Sequence, residues 1–213
     1  MQHTLSNIFI YILLSLCLCV SCTKDDGNVV LEMPNTYTEF CDMYMNTDKR
    51  AATITLDDGT MLDILSQGIR SNVADTTVRA VVTYALKNEK PVIYSNTMAF
   101  CDQARPKEQF KITPRDPMKI VSVWKGGKYI NMVLGEMTNK AAKHSYGFLI
   151  EGVDSKTLNV SFIHFHPSAD PESYTEKKYF SMPMTTPYIS GYDSIAISIT
   201  TYDGVKSYSF AVN

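Results

Sequence analysis

His164 and His166 stand two residues apart in the stretch Ile163-His164-Phe165-His166-Pro167. Alternate positions of a strand share one face, so the two imidazoles could reach a single transition metal. His144, Asp170 or Glu172 could add further ligands. A metal held there would activate water, the chemistry of a metal-assisted hydrolase. The plainer reading puts His164 on the polar face of its strand and His166 in a loop closed by a hydrogen bond to Asp170. No third ligand falls at a motif spacing. The expectation is therefore no metal and no cofactor, with His164, His166 and Asp170 as the residues to inspect. Other chemistry is weaker still. No Gly-x-Ser-x-Gly joins a strand to a helix. Asp57-Asp58 precedes Gly59 and reads as a turn rather than an acid pair. Lys125-Gly126-Gly127-Lys128 is not followed by a helix, so it is no phosphate loop. Trp124 and the tyrosines could stack a sugar or a base, although aromatics at alternating strand positions usually fill a core. No catalytic set emerges, and a non-enzymatic role is expected.

The cysteines carry a different message. Ile8 to Val20 is an uncharged apolar run of about 13 residues, shorter than the roughly 20 that span a bilayer. It ends in Cys19-Val20-Ser21-Cys22 and passes at once into Thr23-Lys24-Asp25-Asp26-Gly27-Asn28. A small residue directly before a cysteine at the edge of such a run resembles the lipobox of bacterial lipoproteins. The expectation is a signal peptide over 1–21, cut between Ser21 and Cys22. Cys22 then carries the fatty acyl chains, palmitate among them, and 22–36 forms a tether. Several acyl chains, at about 0.8 kcal/mol per buried methylene, hold a protein on its bilayer essentially permanently. Lys24-Asp25-Asp26 also resembles the short acidic export signal of some surface lipoproteins. The expected address is the outer membrane, facing the periplasm or the cell surface. In that oxidising compartment Cys41 and Cys101 form an even pair, so a disulfide is permitted; two separately buried thiols fit equally well.

The remaining composition bounds the partners and the fold. With 20 Lys+Arg against 22 Asp+Glu, the chain has no basic surplus to displace the counterions of a nucleic acid, and none is expected as partner. Tyr, Thr, Val and Ile dominate the central and C-terminal stretches and suit strands. Residues 37–104 read as five short strands, with a longer connection after the third and the turn Asp57-Asp58-Gly59 after the second. That pattern fits an OB-like barrel. Three prolines (Pro106, Pro114, Pro117) mark 105–117 as a linker. Residues 118–213 read as about seven strands, clearest where Ile195, Ile197 and Ile199 alternate with polar residues, and predict an antiparallel β-sandwich. The expected class is all-β.

Several stretches in this order resemble the NigD-like lipoproteins. They are the lipobox cysteine Cys22, Ile54-Thr55-Leu56-Asp57-Asp58-Gly59-Thr60, and Asp116-Pro117-Met118-Lys119-Ile120. Trp124-Lys125-Gly126-Gly127-Lys128-Tyr129-Ile130, His166 with Asp170, and Asp193-Ser194-Ile195-Ala196-Ile197 through Tyr202-Asp203-Gly204 complete the series. The resemblance runs from about residue 37 to the end. It implies an OB-like domain followed by a β-sandwich, and it implies little about activity. An association with bacteriocin production gives immunity as an alternative role. The leading expectation is an accessory lipoprotein, held on the membrane by its lipid, that binds a protein, a peptide or a glycan.

Overall fold

The structure is a computed structural model and describes residues 35–65, 68–139, 143–166, 174–185 and 187–212. Ser21, Cys22, Lys24, Asp25, Asp26 and Asp170 lie outside the described residues. Among the described residues no helix is long and apolar enough to cross a membrane.

Five strands open the fold: β1 (Thr36–Met45), β2 (Ala51–Leu56), β3 (Met61–Asp63), β4 (Thr76–Lys87) and β5 (Lys90–Met98). They form one antiparallel sheet in the order β3-β2-β1-β4-β5. The sheet curls until the Leu65 amide donates to the Pro91 carbonyl at 3.2 Å, bringing its two edges together as an OB-like barrel. Alternation decides what fills it. Cys41, Met43 and Met45 of β1 and Ala80, Val82 and Tyr84 of β4 point inward with Ile54. Phe40 and Asp42 of β1, and Arg79 and Val81 of β4, fall on the other face, so these two strands are buried on both sides. The β2–β3 turn follows its residue types: Gly59 takes φ +90°, and its amide donates to the Leu56 carbonyl at 3.0 Å.

The second module stacks two sheets. One holds β7 (Ala104–Pro106), β10 (Ser145–Asp154), β11 (Thr157–Phe165), β13 (Ser194–Thr201) and β14 (Gly204–Ala211), in the order β14-β13-β11-β10-β7. The other holds β6 (Phe100–Cys101), β8 (Lys119–Gly126), β9 (Tyr129–Thr138) and β12 (Tyr174–Pro183), in the order β6-β12-β9-β8. Met132, Leu134, Phe148, Phe162, Phe180 and Ile197 are fully or almost fully buried between them. Phe162 and Phe180 meet edge to face with ring centroids 5.0 Å apart.

The sandwich is largely antiparallel, as expected, but β11–β13, β10–β7 and β12–β6 pair in parallel. The first of these has a plain cause. Between β11 and β13 the chain crosses to the opposite sheet as β12, so β13 returns in the direction of β11.

The segment 105–117 does not run free between modules. Its first residues complete β7 against β10, with Phe148 opposite Ala104. Further on, the His164 amide donates to the Pro114 carbonyl at 3.1 Å and the Asp116 amide to the His164 carbonyl at 3.0 Å. The prolines that suggested a boundary thus lie along the sandwich edge, where a missing N–H is tolerated.

Candidate functional site

Two clusters of side chains stand out, one where the barrel meets the sandwich and one at the end of the sandwich. The junction is organised by Arg79, whose side chain is only 2% exposed. Its Nη1 donates to Asp42 Oδ1 at 3.1 Å, its Nε to Ser181 Oγ at 3.1 Å and its Nη2 to Asn131 Oδ1 at 3.1 Å; Nη2 also reaches Asp57 Oδ1. The guanidinium lies 3.9 Å from the centroid of the Tyr129 ring. Barrel strands supply Arg79 and Asp42, the β2–β3 turn supplies Asp57, and sandwich strands supply Asn131, Ser181 and Tyr129. Tyr129 donates to Asp42 Oδ1 at 2.9 Å, and that carboxylate together with burial pushes the phenol's pKa up.

The Lys125-Gly126-Gly127-Lys128 turn closes the same joint. A Cβ on Gly127 would overlap the Asp57 carbonyl oxygen, and one on Gly126 would overlap the Asp57 carboxylate and the Asn131 amide. The two glycines therefore let the β8–β9 turn rest directly on the Asp57-Asp58-Gly59 turn. Asp57 ties the modules together, since its Oδ2 accepts from the Asn131 amide of β9 at 2.6 Å while its Oδ1 meets Arg79 of the barrel.

Beside this joint lies a groove of about 430 Å³. Phe40, Trp124, Val133 and Tyr179 make its apolar wall, with the exposed Asp58 beside them. Phe40 stands edge-on to Trp124 at 5.4 Å and to Tyr179 at 5.9 Å, measured between ring centroids. Trp124 keeps 36% of its surface exposed. Glu39 accepts from the Tyr84 hydroxyl at 2.7 Å. The Thr60 amide, 2.8 Å from Asp58 Oδ1, holds that carboxyl below the usual carboxylate range, so it is ionised at neutral pH.

The second cluster gathers the three histidines. Ring centroids are 5.1 Å apart for His144 and His164, 5.0 Å for His144 and His166, and 6.5 Å for His164 and His166. The register pairs Tyr146 of β10 with His164 of β11, and the residue two before Tyr146 is His144, which stacks on His164. His164 is buried (2% exposed), not on the polar face expected for it. Its strand points it toward the opposite sheet, where β9 contributes the equally buried Glu136.

His144 Nδ1 lies 2.9 Å from His164 Nε2 and 3.5 Å from Glu136 Oε2; His164 Nε2 is 3.9 Å from the same oxygen. Tyr146 donates its hydroxyl to Glu136 Oε2, and Lys178 Nζ stands 3.7 Å from Oε1. Burial pushes the His164 pKa down to about 4, so this imidazole is neutral at pH 7. His166 sits just past β11, where its backbone amide donates to Asp116 Oδ2 at 2.6 Å.

Sequence reasoning marked His144, His164 and His166. It missed Glu136, whose signal was a carboxylate inside the apolar run Met132-Val133-Leu134-Gly135-Glu136-Met137. Cys41 and Cys101 are separate free thiols: Cys41 lies inside the barrel, and Cys101 is on the short edge strand β6. Burial pushes the Cys41 thiol up to about 12.

The two-module all-β architecture is found in other bacterial proteins. A NigD-like immunity protein from Bacteroides caccae ATCC 43185 is 22% identical; the match covers 85% of this chain and 99% of that one, with a TM-score of 0.67. A protein of unknown function from Bacteroides vulgatus ATCC 8482 is 11% identical, with 83% and 90% covered and a TM-score of 0.63. A candidate lipoprotein from Bacteroides fragilis NCTC 9343 is 10% identical, with 84% and 99% covered and a TM-score of 0.60. Scans against family models and curated proteins give no match. The chain has the NigD-like fold, as its sequence resemblance implied. Identities this low carry the fold and leave the role to be argued from the residues.

Proposed function

We propose that this protein is a non-enzymatic binding lipoprotein of the cell envelope, and that its ligand is a peptide segment pairing an apolar side chain with a basic one. The observation that carries this reading is the groove at the module junction. Phe40, Trp124 and Tyr179 give it an apolar wall, and the ionised Asp58 puts a carboxylate beside it. A lysine or arginine can lay its methylene stem along such aromatics and bring its charge to the rim. The Arg79 joint beside it keeps the two walls in register, so little ordering is needed on binding.

Anchoring through Cys22 supports the envelope address, since a tethered binder meets its partner at high local concentration. A candidate lipoprotein among the solved proteins of the same fold agrees with it. Conversion of Cys22→Ala should leave the chain out of the membrane fraction and without palmitate label; a variant that is processed and still membrane-held would defeat this part of the reading.

Trp124 is the only tryptophan of the chain, so its fluorescence reports the groove directly. Short peptides carrying Lys or Arg beside Phe or Leu should shift that emission saturably, and Asp58→Asn, which keeps the turn's acceptor and removes the charge, should weaken the response. Neutral oligosaccharides shifting it where no peptide does would move the ligand class to glycans. Emission unchanged by either set would refute the groove as a binding site.

Immunity to a toxin is a second reading, favoured by the description of the B. caccae protein. It makes the bound segment part of the toxin. Deletion should then sensitise the producing cell, and unaltered sensitivity would remove it.

A further inference from the structure

We propose that Glu136, His144 and His164 form a divalent transition-metal site, with zinc as the ion. The three facing atoms make a triangle with edges of 2.9, 3.5 and 3.9 Å. Ligands arranged tetrahedrally at zinc bond lengths of about 2.0–2.1 Å stand roughly 3.3 Å apart, so the triangle has the right size with only small side-chain adjustments. Two imidazoles and one carboxylate are also the donor set of zinc centres that keep a fourth position for water.

A second observation, independent of those distances, concerns where the protons lie. His164 Nδ1 faces the Asp116 carbonyl oxygen at 3.2 Å, a group that can only accept, so Nδ1 carries the hydrogen and Nε2 a lone pair. His144 Nε2 is 3.1 Å from Thr138 Oγ1, and that hydroxyl sends its own hydrogen to the Asn139 carbonyl at 3.2 Å. With that hydrogen on the Asn139 carbonyl, Thr138 accepts from His144 Nε2, and in this tautomer the lone pair is on His144 Nδ1. Two lone pairs then point at each other across 2.9 Å, beside a carboxylate oxygen. Neutral imidazoles cannot satisfy one another in that arrangement, whereas a cation between them satisfies all three donors.

The outer contacts match what orients metal-binding histidines elsewhere: each donates its remote N–H, one to a backbone carbonyl and one to a hydroxyl. Tyr146 and Lys178 hold Glu136 in place. A small cavity of about 140 Å³, lined by Asp116, Pro117, Met137, His164, His166 and Tyr202, adjoins His164.

The test uses the full chain in detergent, stripped with chelator and titrated with zinc alone, and in parallel with cobalt(II) as a spectroscopic probe. One equivalent should bind, and cobalt should give the intense visible bands of a four-coordinate nitrogen and oxygen site. His144→Ala should weaken zinc by more than about 100-fold, and Thr138→Val, which removes the hydroxyl facing His144 Nε2 and no ligand, by about 10- to 100-fold. Glu136→Gln keeps the shape and should abolish the four-coordinate cobalt spectrum. No stoichiometric binding by the parent protein would overturn the proposal. So would binding that His144→Ala and Glu136→Gln leave unchanged, which would place the ion elsewhere on the chain.

Discussion

Replacing Arg79 with methionine tests whether the two modules are held as one unit. The substitution keeps most of the side chain's length and removes its charge and its four hydrogen bonds. Deleting one partner of a buried ion pair costs about 3–5 kcal/mol, because the remaining charge stays desolvated. Here the carboxylates are not left wholly alone. Asp42 keeps the Tyr129 hydroxyl at 2.9 Å and Lys128 Nζ at 3.1 Å, and Asp57 Oδ2 keeps the Asn131 amide at 2.6 Å. Their side chains are also 15% and 20% exposed, so water can reach them in part. The cost should therefore sit at the low end, about 3 kcal/mol, or a Tm lower by roughly 6–12 °C for a domain of this size.

Urea unfolding followed by circular dichroism measures it. Arg79→Lys should fall between parent and methionine variant, since one ammonium cannot serve acceptors spread around a planar fork. If Arg79 couples the modules, the methionine variant should also unfold in a broader, less cooperative transition. A loss below about 1 kcal/mol with undiminished cooperativity would refute the reasoning, because it would mean the buried charge contributes no more than a surface pair.

Gly127→Ala combines a left-handed backbone (φ +52°) with an overlap on the Asp57 carbonyl, and should destabilise by about 2–4 kcal/mol in the same assay. Cys41 should resist alkylation at pH 8, since burial holds its thiol protonated up to about 12 and only the thiolate reacts. Mass spectrometry should find it modified only in denaturant; rapid labelling of the native protein would show that the barrel core opens.

Much of the architecture was legible because alternation is a strong signal. Cys41, Met43 and Met45, or Ile195, Ile197 and Ile199, announce strands with one buried face whatever their neighbours are. Strands β6 and β7 were not legible, since two or three residues pairing in parallel at a sheet edge leave no period to read. The segment 105–117 looked like a linker for the same reason: its hydrogen bonds go to β10 and β11, which sequence order does not reveal. Arg79 carried a signal in retrospect, a single charge in Val78-Arg79-Ala80-Val81-Val82. Alternation accounts for the face of β4 inside the barrel, but the partner of its second face, the sandwich residues Asn131 and Ser181, lies far along the chain. The histidines were recognisable by type. Their convergence with Glu136 depends on which strands of two different sheets face each other, and local pattern does not specify that.

These placements explain why a resemblance can be clear while a role stays open. The most recognisable stretches, Leu56-Asp57-Asp58-Gly59 and Trp124-Lys125-Gly126-Gly127-Lys128, are the turns that lock barrel to sandwich through Asp57, Asn131 and Arg79. Residues under such geometric demand tolerate little change, because Gly127 has no room for a methyl and Asp57 must meet a buried guanidinium. They transmit the architecture. Trp124, on the groove wall, keeps 36% of its surface exposed and is free of that demand. On that division a substitution at Trp124 should alter binding with stability nearly intact, while those at Arg79 or Gly127 should cost stability first. A Trp124 variant that unfolded as readily as the Arg79 variant would place the aromatic wall among the structural parts and leave the groove without a claim to function.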